Sequence, residues 1–177
     1  SASVVLGTLV FDEFLEQVVL GDFAIASDSD EQILARFFAA PFPQRALDDL
    51  RVFLGKVHYP VAVRSSSLME DSLAQPFAGV YQTYMLPNNH PSLDVRLAQL
   101  LEAIKVVYAS TYFQTARDYL ETTPYRIEEE LMAVLVQRLV GSRRGDRFYP
   151  TFSGTASSYN FYPFGDMKPE DGVAQVA

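Results

Sequence analysis

Apolar residues recur at helical spacing through the first third of the chain and then give way to strand-like runs. Ser3 to Thr8 holds a short apolar strand, and Thr8 can cap the helix that follows. In that helix Phe11, Phe14, Leu15, Val18 and Val19 define a buried stripe, which Gly21-Asp22 ends. Ser27 to Asp30 opens the next helix, with Asp28 as its cap and Glu31 three residues on. Ile33, Leu34, Phe37 and Phe38 form its inner face. Pro41 and Pro43 break the chain before a third helix over Gln44 to Val57, where Leu47, Leu50, Phe53, Leu54 and Val57 repeat the helical period.

The pattern then changes. Pro60 to Val63 is a short apolar strand that ends in Arg64 and the serines Ser65, Ser66 and Ser67. Val80 to Leu86 has the β-branched and aromatic composition of a second strand. Alternation there puts Val80, Gln82 and Tyr84 on one face and Tyr81, Thr83 and Met85 on the other. After a turn at Pro87 to Pro91, Ser92 caps a long helix with Leu93, Leu97, Leu100, Leu101, Ile104, Val107 and Tyr108 inward. The helical pattern continues from Ser110 to Leu120, and Thr122-Thr123-Pro124 interrupts it. Glu128 to Glu130 reads as solvated surface. Met132 to Val140 is nearly all apolar, as in a strand at the centre of a sheet, with Gln137 its polar exception. Gly141 to Asp146 forms a basic hairpin turn, and strands follow over Phe148 to Ser153 and Thr155 to Tyr162. The order predicts an α+β fold with helices packed on mostly antiparallel sheets.

At 177 residues and 49% hydrophobic, the chain can build one compact core without staples, and it has no cysteine to make them. Two histidines and no cysteine are too few for a zinc site. No apolar run approaches the roughly 18 residues of a membrane span, so no membrane partner is expected and a cytoplasmic location is the default. A net charge of −8 argues against nucleic acid. Any bound anion must therefore be held by local donors against the global field. At the ends, Ser3 to Gly7 enters directly as a strand, and Lys168 to Gly172 reads as a helix start with only Val173 to Ala177 after it. The chain thus reads as a piece of a larger protein, truncated at both ends.

Chemistry concentrates between Tyr59 and Gly79. A strand delivering an arginine into hydroxyls and backbone donors suits an oxyanion, because the planar guanidinium binds phosphate oxygens through two parallel bonds. The same residues are also explained by an ordinary serine-rich turn with Arg64 paired to Glu70 or Asp71. What favours the anion site is a set of linked motifs. Val61-Ala-Val-Arg-Ser-Ser66, Glu70-Asp71, Phe77-Ala-Gly79 and Gln82-Thr-Tyr84 resemble the signature of the phosphoenolpyruvate synthase/pyruvate phosphate dikinase family, in its N-terminal nucleotide-binding domain. Ala109-Ser110, Ala116 with Tyr119, Ala133 to Gln137 and Phe152-Ser-Gly154 agree in order.

The resemblance implies an ATP-grasp-like domain, with ATP and Mg²⁺ held between lobes. It implies a kinase-type reaction in which ATP phosphorylates a histidine on a separate swivelling domain, which hands the phosphoryl group to pyruvate. By this resemblance residues 1–177 are part of that N-terminal ATP-binding domain, inactive alone, with a homodimer open to the full-length protein. Arg64 matches the arginine that contacts the phosphates, followed by Ser65 and Ser66. Gly79 and Thr83 match the loop covering the phosphates, and Gln137 a glutamine near the adenine. No protein metal ligand is expected. Related proteins with the same ATP chemistry leave open another acceptor (a glucan or an antibiotic), and Thr155 to Pro163, which departs from the family pattern, leaves open a degenerate, non-catalytic regulatory module. His58 and His90 lack a phosphohistidine context and read as structural.

Overall fold

The computed structural model describes residues 3–16, 19–27, 29–67, 69–70, 79–124 and 126–177. It divides into two compact units, Ser1–Leu139 and Val140–Ala177. In the first, a four-stranded sheet has the order β1-β4-β2-β3, from β1 (Val4–Leu6), β2 (Val61–Ser67), β3 (Thr83–Leu86) and β4 (Met132–Arg138). Every pairing in it is antiparallel. As the apolar run 132–140 predicts, β4 is an inner strand, flanked by β1 and β2.

Helices α1 (Thr8–Glu16), α2 (Leu20–Ala26), α3 (Asp30–Ala39), α4 (Gln44–Lys56), α5 (Leu93–Ser110) and α6 (Gln114–Leu120) share a core with one face of the sheet. The strand period of two sorts most of the sheet residues, with Ala62 at 5% and Tyr84 at 37% exposure as exceptions on the outer and inner face. Leu6, Val61, Val63, Met132, Val134 and Val136 are buried against the helices. At the centre Phe14 is fully buried, with ring centroids 5.6 Å from Phe37, 5.5 Å from Phe42 and 5.7 Å from Tyr108.

Several local expectations change. Thr8 is the first residue of α1 rather than its cap, and the helix is described as far as Glu16. Val18 lies outside the described residues, and Val19 is 62% exposed at φ 51°, off the stripe assigned to it. Gly21-Asp22 does not end a helix but lies inside α2. Arg117 explains why this short helix holds: its guanidinium collects the carbonyl oxygens of Ala24, Ile25 and Ser27 at the C-terminal end. Asp28 lies outside the described residues, and the cap of α3 is Ser29, whose hydroxyl accepts from the Gln32 amide. Phe38 is 43% exposed, not inward. Ser92 does cap α5, accepting from the Val95 amide.

The start of β2 is braced by a buried arginine. Arg96 Nη1 donates to the Leu54 carbonyl at 3.0 Å, the Val57 carbonyl at 2.9 Å and Asn88 Oδ1 at 3.2 Å. The Asn88 amide donates in turn to the Val57 and Tyr59 carbonyls. This joins the end of α4 to the turn before α5 and fixes where β2 begins. Arg96→Ala takes this donor from the Leu54 carbonyl and Asn88 Oδ1 and leaves the Val57 carbonyl to Asn88 alone, so urea denaturation should show a loss of about 2–4 kcal/mol.

In the second unit, β5 (Ser142–Arg144) and β6 (Arg147–Tyr149) form a hairpin turning at Gly145-Asp146, so the arginines expected in the turn lie in its strands. The strands expected over 148–153 and 155–162 reduce to β6 and β7 (Gly154–Ser157), and β7 pairs with β8 (Val173–Val176). The helix expected after Lys168 is one 3-10 turn, Pro169–Asp171. Gly172 at φ 71° stops it, and Val173 to Val176 are strand instead.

Candidate nucleotide site

The serines after Arg64 are not a turn. β2 runs unbroken through Ser67, because its pairing with β4 continues to Ser67 opposite Met132. Residues directly opposite on antiparallel strands share a face, so register decides which predicted residues meet. Arg64 lies opposite Leu135 on one side and Thr83 on the other. Ala62 lies opposite Gln137 and Met85, and Ser66 opposite Ala133. Arg64, Ser66, Thr83 and Gln137 therefore share the sheet face turned away from the helical core. That face is open: Val5 is 60% and Met85 63% exposed, with Arg64 and Thr83 exposed beside them.

Arg64 is available there. Among the described residues no carboxylate lies within ion-pair distance of it, which removes Glu70 as its partner; Asp71 lies outside them. Glu70 is taken by Ser65 instead, whose hydroxyl donates to Glu70 Oε1. Ser65 lies opposite Val134 on the helix-facing side, so the sheet does not bring it to the other candidates. Gly79, exposed at φ 87°, sits four residues before Thr83. No atom crowds it, so a side chain there is opposed by backbone conformation rather than by space. Phe77 and Ala78 of the same motif lie outside the described residues. His58 is exposed, and His90 Nδ1 accepts from the Ser92 amide.

The acidic run Glu128 to Glu130 does not lie wholly at the surface. Glu130 is not solvated surface but 5% exposed, and the Tyr81 hydroxyl donates to its Oε1 at 3.1 Å. Burial raises the Glu130 carboxyl above its ordinary value; Ser67 and Tyr81 act against this, and Glu70 adds to it. Burial likewise pushes the Tyr81 phenol up, reinforced by Glu130. No sequence signal within the run marks Glu130, since its partner is 49 residues away. The folded protein therefore keeps this proton to higher pH than the unfolded chain does. The stability it contributes is complete below the ordinary value of 4.5 and is lost as pH rises through the folded value. Glu130→Gln should flatten that part of a pH series of urea melts and leave the protein more stable at neutral pH.

Among the described residues no cluster of three or more His, Cys, Asp or Glu could hold a metal, and no helix is long and apolar enough to cross a membrane. A cleft lined by Leu6, Thr8, Glu13, Arg45 and Asp49 contains none of the candidate nucleotide residues.

Residues 10–177 match the family described as pyruvate phosphate dikinase, AMP/ATP-binding domain. The chain belongs to this family. It is similar to a phosphoenolpyruvate synthase of Aeropyrum pernix, 31% identical over 135 residues, covering 72% of the chain and 16% of that protein. It is also similar to an uncharacterized phosphotransferase, YvkC, of Bacillus subtilis, 29% identical over 119 residues, covering 65% of the chain and 13% of that protein. The chain thus spans less than a fifth of the length of these relatives. As an α+β member of this family it has an ATP-binding role of the phosphoenolpyruvate synthase and pyruvate phosphate dikinase type.

Proposed function

We propose that the open sheet face is the phosphate side of an ATP site, with Arg64 as its central cation. The observation that carries this is an exposed arginine with no carboxylate partner among the described residues, held on a rigid inner strand directly opposite Thr83. In a protein of net charge −8, such a free guanidinium is a prepared anion contact. Thr83 and Ser66 add hydroxyl donors on the same face, and Gln137 lies two residues from Leu135, the residue opposite Arg64. Leu135 and Met85 offer apolar surface on which a purine can rest. Gly79 would approach the phosphates with backbone alone. Ser65, engaged with Glu70, orients the strand end rather than the nucleotide. Mg²⁺ would arrive with the triphosphate, and Thr83 can accept or donate beside it.

In this reading the chain is part of the N-terminal ATP-binding domain of a larger phosphotransferase. ATP phosphorylates a histidine on another, swivelling domain, which passes the group to pyruvate. Phosphoryl transfer depends on positioning and charge neutralisation, which a strand-borne arginine supplies. Incubating the full-length protein with labelled ATP and Mg²⁺ should give an acid-labile phosphoenzyme. Label that never leaves the nucleotide would refute the proposal.

A further inference from the structure

The residues proposed to meet phosphate from β3 depend on a short approach, Gly79 to Gln82, that lies outside the sheet ladder. Two buried residues anchor it, Val80 at 8% and Tyr81 at 7% exposure. The Tyr81 hydroxyl reaches the carboxylate of Glu130, two residues before β4, and the Gln82 amide donates to Ser110 Oγ at 3.3 Å. Ser110 is itself fixed, donating to the Val107 carbonyl at 2.7 Å. Ser67 stands beside the pair, fully inside the protein, with its hydroxyl making no hydrogen bond of full geometry. Tyr81 is two residues from Gly79 and two from Thr83. Any shift of its ring is therefore passed to both.

We propose that Tyr81 and Glu130 are positioning residues for the ATP site: their buried hydrogen bond sets the approach to β3, and so places Gly79 and Thr83 against Arg64. This rests on the reading of the open face as the nucleotide site. The pair lies by the last residue of β2 and the first of β4, with Tyr81 in the core shared with the helices rather than on that face, so neither residue is placed to touch the nucleotide. A buried carboxylate is costly to keep unless something holds it, and one phenol donor in a well-packed site gives a single geometry. The groups facing Glu130 are Tyr81 and Ser67, with Glu70 near enough to act on its charge and Tyr112 near enough to feel it. None is a cation, so hydroxyl groups hold Glu130, and the Tyr81 bond is the one that ties it to the approach to β3.

The test is Mg²⁺-dependent ATP titration of the full-length protein, with melting temperatures measured alongside. Tyr81→Phe removes the donor and Glu130→Ala the acceptor; each should raise the ATP Kd about tenfold or more in protein that remains folded. Glu130→Gln keeps an acceptor for the phenol and should bind within about twofold of wild type. Amide exchange should rise at Gly79 to Thr83 in Tyr81→Phe while β2 stays protected. Wild-type affinity in folded Tyr81→Phe overturns the inference and leaves the nucleotide site standing. A lower melting temperature with unchanged affinity and exchange also overturns it, as a purely structural role. If wild type itself binds no ATP, the nucleotide reading fails, and this inference with it. In that case the failure shows before any variant is compared.

Discussion

Arg64→Ala is expected to weaken Mg²⁺-ATP binding by about 100-fold or more while leaving the fold intact. Two charge-assisted bonds to phosphate at about 1.5–3 kcal/mol each account for a loss of that size. The fold should be spared because Arg64 is exposed and forms no ion pair among the described residues. Its stability should change by no more than about 0.5 kcal/mol, as for other surface sites. Arg64→Lys is the instructive companion. It keeps the charge but loses the planar fork, so it should recover only part of the affinity. Calorimetric titration of both variants checks the order wild type, lysine, alanine. Equal binding by all of them would remove Arg64 from the site.

The largest effect on folding is expected from Phe14→Ala. Phe14 is fully buried and meets the rings of Phe37, Phe42 and Tyr108, so its removal opens a cavity that joins α1, α3 and α5. Core phenylalanine to alanine changes cost about 3–5 kcal/mol, which for a protein of this size is on the order of 10 °C in melting temperature. Phe14→Leu should cost well under half as much. Thermal melts followed by near-ultraviolet circular dichroism report on this aromatic cluster directly. A loss below about 1 kcal/mol for the alanine variant would mean the cluster does not hold the helical layer together.

Much of this architecture was legible because periodicity survives in single segments. Leu50, Leu54 and Val57 stand at helical spacing and are buried; Val134 and Val136 alternate in the inner strand and are buried. What failed was information carried by distant partners. The Leu20–Ala26 helix was hidden because its C-terminal carbonyls are held by Arg117, about ninety residues on. Ser65 to Ser67 looked like a turn by composition, since serine has little strand preference, yet continuous pairing with β4 draws them into β2. That change matters for the site. A flexible loop could have offered Ser65 and Ser66 alike, whereas a strand must send them to opposite faces. Likewise, Arg64 and Gln137 were each visible in sequence, but only register shows that they share a surface. Proline and acids before Val173 to Val176 signal a helix, and Gly172 cancels that signal after one turn.

The central claim is that ATP lies on the sheet face bearing Arg64, Thr83 and Gln137. Photo-crosslinking the full-length protein with 8-azido-ATP and Mg²⁺, followed by peptide mapping, tests that location most directly. The expected result is label within Met132–Arg138, lost when excess ATP is present and lost in Arg64→Ala. Label confined to the helical layer, or label that ATP does not displace, would contradict it.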